Sequence, residues 1–230
     1  RCGSDYPILI RMSANEFMEG GCNEKDLVVY ARLAEEAGVD AIHVSTGSGA
    51  GGSIVTPYYT DPGFNICNAE AVKKAVKIPV IGVGRINDPA LAEEIVASGK
   101  ADLVSLGRQS ICDSEFPNKA YEGREDEIFH CTGCMQRCYY SPGCDELDKG
   151  VSCMINPFSG KEGRWKITET EQKKKILIIG GGVAGLEAAW ILAKRGHSVS
   201  VYEKNDMPGG QYRLAAIPPK KQDLGKTVHS

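Results

Sequence analysis

"IPVIGVGRINDPALAEEIVASGKADLVSLGR", residues 78–108, packs a strand, a turn, a helix and a second strand into one short stretch. Ile78 to Gly84 is a β-branched apolar run of the length of a buried strand. Pro89 sits just inside the start of the following helix and Gly99 near its end, which is where a helix tolerates the one and terminates with the other. "ADLVSLG" (residues 101–107) is the next strand. The same rhythm runs outward toward the N-terminus. "PILIRMS" (7–13) reads as a strand, "NEKDLVVYARLAEEAGVD" (23–40) as a helix opened by an Asn cap, "DAIHVSTG" (40–47) as a strand and "AEAVKKAVK" (69–77) as a helix.

Strand and helix in strict alternation imply parallel strands with covering helices, either wound open or closed as an eightfold barrel. About four units are half of what a barrel needs, and the run begins almost at once with a strand. The sequence is therefore expected to be a piece of a longer chain whose earlier strands are absent.

The rhythm is lost between residues 111 and 165, where Cys, Gly, Pro and Tyr accumulate. An irregular metal-bound module is expected over residues 126–167. The polar "TETEQKKK" (168–175) reads as a linker. Residues 168–230 then bring "KILIIGGGVAGLEAAWILAKRGHSVSVYEK": strand, glycine turn, helix and strand, the first half of a Rossmann-like domain. The stretch after Glu203, "NDMPGGQYRLAAIPPKKQ", is expected to be a loop.

Of 230 residues 42% are apolar, and the net charge of −3 with both signs interspersed gives no reason to expect nucleic acid or an anionic membrane as partner. No apolar run approaches the roughly 18 residues of a spanning helix, and the N-terminus lacks the pattern of a secretion signal. A cytoplasmic location is expected. Nine cysteines, four of them between residues 131 and 144 and a fifth at 153, then point to metal or redox chemistry more than to disulfides.

Three sites follow from the residues. Gly180, Gly182 and Gly185 form G-x-G-x-x-G between an apolar strand and an Ala-rich helix, so backbone can approach a pyrophosphate at the helix N-terminus flanked by Val183 and Ala184. Glu203 ends the next strand, where its carboxylate can accept from ribose hydroxyls. Cys131-x2-Cys134-x3-Cys138 places three thiolates on one short loop, as a 4Fe-4S cluster requires; Cys144 and Cys153 compete as the fourth ligand, and structural zinc is the alternative. In "GVGRIND" and "LGRQ", Gly84 with Arg85 and Gly107 with Arg108 stand after the last two strands, a common phosphate site of barrels, and Arg11 lies on another strand of the same rim.

"LIRMS", the stretch from residue 82 to 108, "CTGCMQRC", "CMINP" and "GGGVAGLEAA…YEK…PGGQ" occur in an order that resembles the NADH:flavin oxidoreductase / Old Yellow Enzyme family, in its iron–sulfur flavoprotein branch of 2,4-dienoyl-CoA reductases and clostridial enoate and bile-acid reductases. The resemblance covers nearly the whole chain. It implies an FMN-bearing (β/α)8 barrel, of which residues 1–125 would be the C-terminal part, a 4Fe-4S cluster and a FAD domain that accepts hydride from NAD(P)H. Arg11 would face the FMN ring, with Arg85, Gly107 and Arg108 on its phosphate beside Gly84. Cys131, Cys134 and Cys138 match cluster ligands, and the "CMINP" context selects Cys153 as the fourth. Gly182, Glu203 and Gln211 match FAD contacts, within a candidate set that also holds Gly180, Val183, Ala184, Gly185, Lys204 and Gly210.

The implied activity is reduction of an activated C=C bond in a small enoyl or enoate substrate, with a homo-oligomer left open. Amine dehydrogenation at FMN is the competing enzyme activity, and a non-redox binding module with structural zinc the competing class. The histidine that dienoyl-CoA reductases carry after the sixth strand has no counterpart in "STGSGAGGSIVTPYYTDPG" (45–63), so Tyr58 or Tyr59 becomes the candidate proton donor there, and His43 reads as a core residue.

Overall fold

Four apolar runs pair side by side in chain order as parallel strands: β1 (Leu9–Ser13), β2 (Ala41–Ser45), β3 (Val80–Gly82) and β4 (Leu103–Val104). The computed structural model describes residues 3, 5–49, 55–140 and 150–228. The chain divides into two units, residues 1–110 and 111–230. The expected cysteine module therefore falls in one unit with the glycine turn.

In the first unit α1 (Glu24–Glu36), α2 (Ile66–Lys73) and α3 (Pro89–Ala97) connect the strands. The Asn23 side chain accepts from the N–H groups of Lys25 (2.9 Å) and Asp26, and the Asp26 carboxylate accepts from the Asn23 N–H (3.1 Å), a reciprocal capping box. Asp88 caps α3 by accepting from the Ala90 N–H at 3.0 Å, with Pro89 just inside. Parallel register aligns Ile42 with Val80 and Val44 with Gly82. The core joins Ile42, Val44 and Val80 to Leu27 and Ala31 of α1, Ile66, Ala69 and Val72 of α2 and Ile95 of α3. On the opposite face Leu9 and Leu103 are exposed. Helices thus pack on one side of an all-parallel sheet, as in a sector of a (β/α)8 barrel and unlike a doubly wound sheet, which is covered on both.

The second unit opens with the end of α4 (Gly107–Cys112) and α5 (Phe116–Tyr121), so the expected irregular stretch contains a further helix. The buried Asp113 organises this region: its carboxylate takes an ion pair from Lys119 Nζ (2.6 Å) and hydrogen bonds from the N–H groups of Phe129 (3.0 Å) and Glu115 (3.1 Å). A chain with few regular ladders satisfies its backbone through one buried carboxylate instead. A parallel pair follows, β5 (Lys175–Ile179) with β6 (Ser198–Tyr202), joined by α6 (Val183–Lys194). The loop expected after Glu203 contains α7 (Gly210–Ala215) and α8 (Asp223–Lys226). Gly209 and Gly210, inside that stretch, turn the chain through positive φ directly into α7. Among the described residues no helix is long and apolar enough to cross a membrane.

Asn65 stitches the parallel sheet to α2 beneath the strand ends. Its buried amide donates to the carbonyls of Val44 and Val83, both at 3.0 Å, and its oxygen accepts from Asn68. Asn65→Ala is expected to leave those carbonyls unpaired and to destabilise this unit by about 1–3 kcal/mol in urea unfolding.

Candidate functional site

Parallel strands send all the loops that follow them to one edge of the sheet, and the first unit's predicted residues collect there. The turn after β3 carries Gly84 at φ 153° and Arg85 at φ 52°. A Cβ on Gly84 would stand 3.0 Å from the Asn65 backbone nitrogen, so Asn65 and glycine fit each other at this turn. Left-handed backbone at a non-glycine residue such as Arg85 is a strained arrangement of the kind found at ligand clamps. The nearly buried Arg85 donates to the Thr60 carbonyl at 2.6 Å. Arg108, one residue into α4 after Gly107, donates to the carbonyl of Thr56. The two guanidiniums thus hold residues 56–60 at the ends of β3 and β4.

Arg11 and His43 are register partners on β1 and β2, which puts both side chains on the face turned away from the helices. His43 is half-buried, not a core residue, and its Nε2 has no hydrogen-bond partner among the described residues. Burial, then the nearby Arg11 cation, lower its pKa from the ordinary value. It is therefore neutral at pH 7. Tyr59 is exposed and its ring meets Tyr58 edge-on at 5.5 Å. Residues 50–54 of the expected proton-donor loop lie outside the described residues, as does Cys144.

The second unit holds the glycine turn. Gly180 has φ 102°, Gly182 is the extended N-cap of α6, and a Cβ on Gly185 would lie 2.0 Å from the Gly180 carbonyl oxygen. The third glycine is thus a packing requirement between helix and strand end. No described atom lies within 4 Å of where a Gly182 side chain would start, so space is open above the first turn of α6. Glu203, just past β6, accepts from the Gly181 N–H (2.8 Å) with one oxygen and from Asn205 N–H (3.0 Å) with the other. The Asn205 and Gly181 hydrogen bonds lower its pKa. The carboxylate is ionised at the place where ribose hydroxyls are expected. Lys204 is exposed beside it, and Gly210 and Gln211 begin α7, which the Gly209 N–H ties back to Gly181 O at 2.6 Å.

Cys131, Cys134, Cys138 and Cys153 are half-buried. Gly133 and Met135, both at positive φ, fold the first three into a loop that ends in a π-helical turn over Gln136–Tyr140. Cys153 Sγ accepts the Ile155 N–H at 3.3 Å. The influence of the neighbouring Cys112 thiol, foremost, brings the Cys153 pKa down to about 6, while Cys153 and burial push Cys112 up. Among the described residues no three His, Cys, Asp or Glu side chains converge closely enough to hold a single metal ion.

Between these two groups lies a cleft of about 490 Å³. Val183, Ala184 and Glu187 of α6 line one side, Met154, Ile155 and Pro157 of the "CMINP" segment the other, and Tyr212 stands among them. Phe129 and Phe158 pack edge-on against Trp190 at centroid distances of 6.0 and 6.1 Å and join α6 to the cysteine segment. The volume and largely apolar lining are those of a small-molecule or cofactor pocket. Burial, then the neighbouring Cys134 and Cys153, raise the pKa of Tyr212, so its phenol is neutral and electrostatically close to the cysteines. Glu187 Oε1 and Thr227 Oγ1 are buried there with no hydrogen-bond partner among the described residues. Sequence reasoning missed Tyr212, Glu187 and Cys112. Only the place of Tyr212 beside Gln211 could have flagged it.

A family model described as NADH:flavin oxidoreductase / NADH oxidase matches residues 1–127, and one described as NAD(P)-binding Rossmann-like domain matches residues 178–227. An NADH oxidase of Thermoanaerobacter brockii is 43% identical over 96% of this chain and 34% of its own length. A cinnamate reductase of Clostridium sporogenes is 35% identical over 97% of this chain and 35% of its own. Among solved structures, 2-naphthoyl-CoA reductase in complex with 2-naphthoyl-CoA superposes with TM-score 0.91 at 33% identity, over 99% of this chain and 34% of that one. Histamine dehydrogenase from Rhizobium sp. 4-9 follows at TM-score 0.82 and 25% identity, over 96% and 32%. The chain spans about a third of the length of the curated relatives it matches.

Gly185→Ala is expected to drive its methyl group into the Gly180 carbonyl and cost about 1–3 kcal/mol in chemical unfolding, whereas Gly182→Ala, with open space above it, spares stability. Burial raises the Glu187 pKa from the ordinary 4.5, so the folded chain holds that proton more tightly than the unfolded one. Stability should therefore fall as pH rises from 4.5 through the raised value and level off beyond it. In thermal unfolding of the ligand-free protein across that range, Glu187→Gln should abolish this part of the decline.

Proposed function

The chain belongs to the NADH:flavin oxidoreductase / NADH oxidase family, and on that premise we propose that it forms part of an NAD(P)H-dependent flavoenzyme that reduces an activated C=C bond of an enoyl-CoA or enoate substrate. The observation that carries the reading is the cleft of the second unit, with Val183 and Ala184 of the dinucleotide-type glycine turn on one side and Met154, Ile155 and Pro157, which follow Cys153, on the other. When bound, FAD, a 4Fe-4S cluster and FMN would relay electrons from NAD(P)H to the substrate, the cluster turning a two-electron donor into one-electron steps.

The residues present fit these groups. Open space above Gly182, the α6 N-terminus and the ionised Glu203 suit a pyrophosphate and ribose, with Val183, Ala184, Gly210 and Gln211 alongside. A cubane gives each thiolate a different iron, so its ligands spread wider than those around one zinc ion. The Cys131-x2-Cys134-x3-Cys138 triplet with Cys153 suits the first arrangement better than the second, which typically takes two separated pairs. Arg85 and Arg108 can exchange threonine carbonyls for the stronger, charge-assisted bonds of the FMN phosphate. Arg11 places a cation where negative charge on a reduced flavin would be stabilised, and neutral His43 beside it adds no second charge. The cinnamate and naphthoyl-CoA reductases among the similar proteins favour C=C reduction over amine oxidation.

The test is an anaerobic preparation of the full-length protein. It should be coloured, contain about four irons and four acid-labile sulfides per chain, and bleach with NADH or NADPH. Cys153→Ala should lose the iron. Bleaching by trimethylamine or histamine alone would select amine oxidation, and a colourless, zinc-loaded protein would exclude the cluster.

A further inference from the structure

Two residues that line the cleft of the second unit each carry a buried polar atom, Glu187 Oε1 and Thr227 Oγ1, with no hydrogen-bond partner among the described residues. Such atoms are rare in folded proteins, because each forfeits the bonds it made to water, and two at one cavity mark where a partner from outside the chain would bond. The rest of the lining is largely apolar, and no lysine, arginine or histidine stands among the described residues that form it. Val183, Glu187 and Trp190 follow one another at i, i+4 and i+7 along α6, so they share the face that borders the cleft. A dinucleotide seated over Gly182 and running on along this face meets Glu187 in the second turn of the helix. Trp190, farther along, is packed edge-on by Phe129 and Phe158.

We propose that Glu187 positions the flavin ring of the dinucleotide in this cleft, its carboxyl pairing with the imide edge of the ring through the imide N–H and an adjoining carbonyl. The inference rests on the FAD reading above and goes beyond it by naming the side chain that reads the ring. A carboxylic acid carries one O–H donor beside one acceptor, and an imide edge presents one N–H donor beside a carbonyl, so the two meet in a reciprocal pair of hydrogen bonds. Burial with no cation in the lining favours the protonated carboxyl, in line with the raised pKa of Glu187. An ionised carboxylate offers acceptors only and would repel the imide carbonyl. The Thr227 hydroxyl can donate to the second carbonyl of the same edge, and Tyr212 and Met154 supply apolar surface for the flat body of the ring.

The test takes the full-length protein, depleted of flavin and reloaded with FMN, and titrates it with FAD or with FAD methylated at the imide nitrogen, binding being read from flavin fluorescence. Wild type should bind FAD about tenfold more tightly than the methylated form, which cannot donate to the carboxyl. Glu187→Gln, whose amide keeps a donor beside an acceptor, should retain that preference. Glu187→Met has a similar length but no donor, and it removes a buried unpaired oxygen. It should therefore be at least as stable as wild type in thermal unfolding, bind FAD about tenfold more weakly and bind the two flavins alike. Equal binding of the two flavins by wild type overturns the inference and leaves the FAD reading intact, as does a preference for FAD that persists in Glu187→Met. A wild-type protein that takes up no FAD defeats both.

Discussion

The carbonyls at the C-terminal end of α4 have no partners within the helix, and the architecture of the second unit follows from how they are satisfied. Ser159 and Asn156 donate to the carbonyls of Ile111 and Cys112. A helix end buried without such partners would forfeit the full desolvation cost of each group. Meeting that demand from side chains 44 and 48 residues away brings the "CMINP" segment to one fixed place. Cys153, Met154, Ile155 and Pro157 are then set together: the Cys153 sulfur near Cys112 and the apolar side chains as one wall of the cleft.

The opposite wall rests on a steric constraint. Gly185 lets α6 start where any side chain would strike the Gly180 carbonyl. Because the helix begins so close to its strand, Val183, Ala184 and Glu187 face the cleft and the space above Gly182 stays open. The first unit uses the same device once: Gly84 permits the approach of Asn65, which links the ends of β2 and β3 under the turn that carries Arg85. In both units glycine lets backbone come near, and the functional side chains project from what that nearness leaves open.

Much of this was legible in the residue order. The alternation of apolar runs with capped helices led to the parallel sheet, since Asn23, Asp88 and Pro89 act at helix starts through local chemistry that needs no distant partner. The glycine turn and Glu203 were legible for the same reason: spacing along a strand, turn and helix is nearly spacing in space. Where the rhythm fails, the sequence says little. Helix α5 was missed because Asp113, Lys119 and the Phe129 N–H stabilise the stretch around it from across the module. Helix α7 was missed because Gly209 and Gly210 read as turn, and their positive φ leads directly into a helix.

The sequence by itself determined the periodicities, the caps, the thiols available and the family, because each is written in residues close together along the chain. Only the tertiary structure decided that Arg85 and Arg108 grip Thr60 and Thr56, that His43 lies beside Arg11, and that Cys112 neighbours Cys153. The last pair stands 41 residues apart in the chain. Their proximity depends on hydrogen bonds formed at the end of a helix, and no local pattern encodes which distant side chain will satisfy a buried carbonyl.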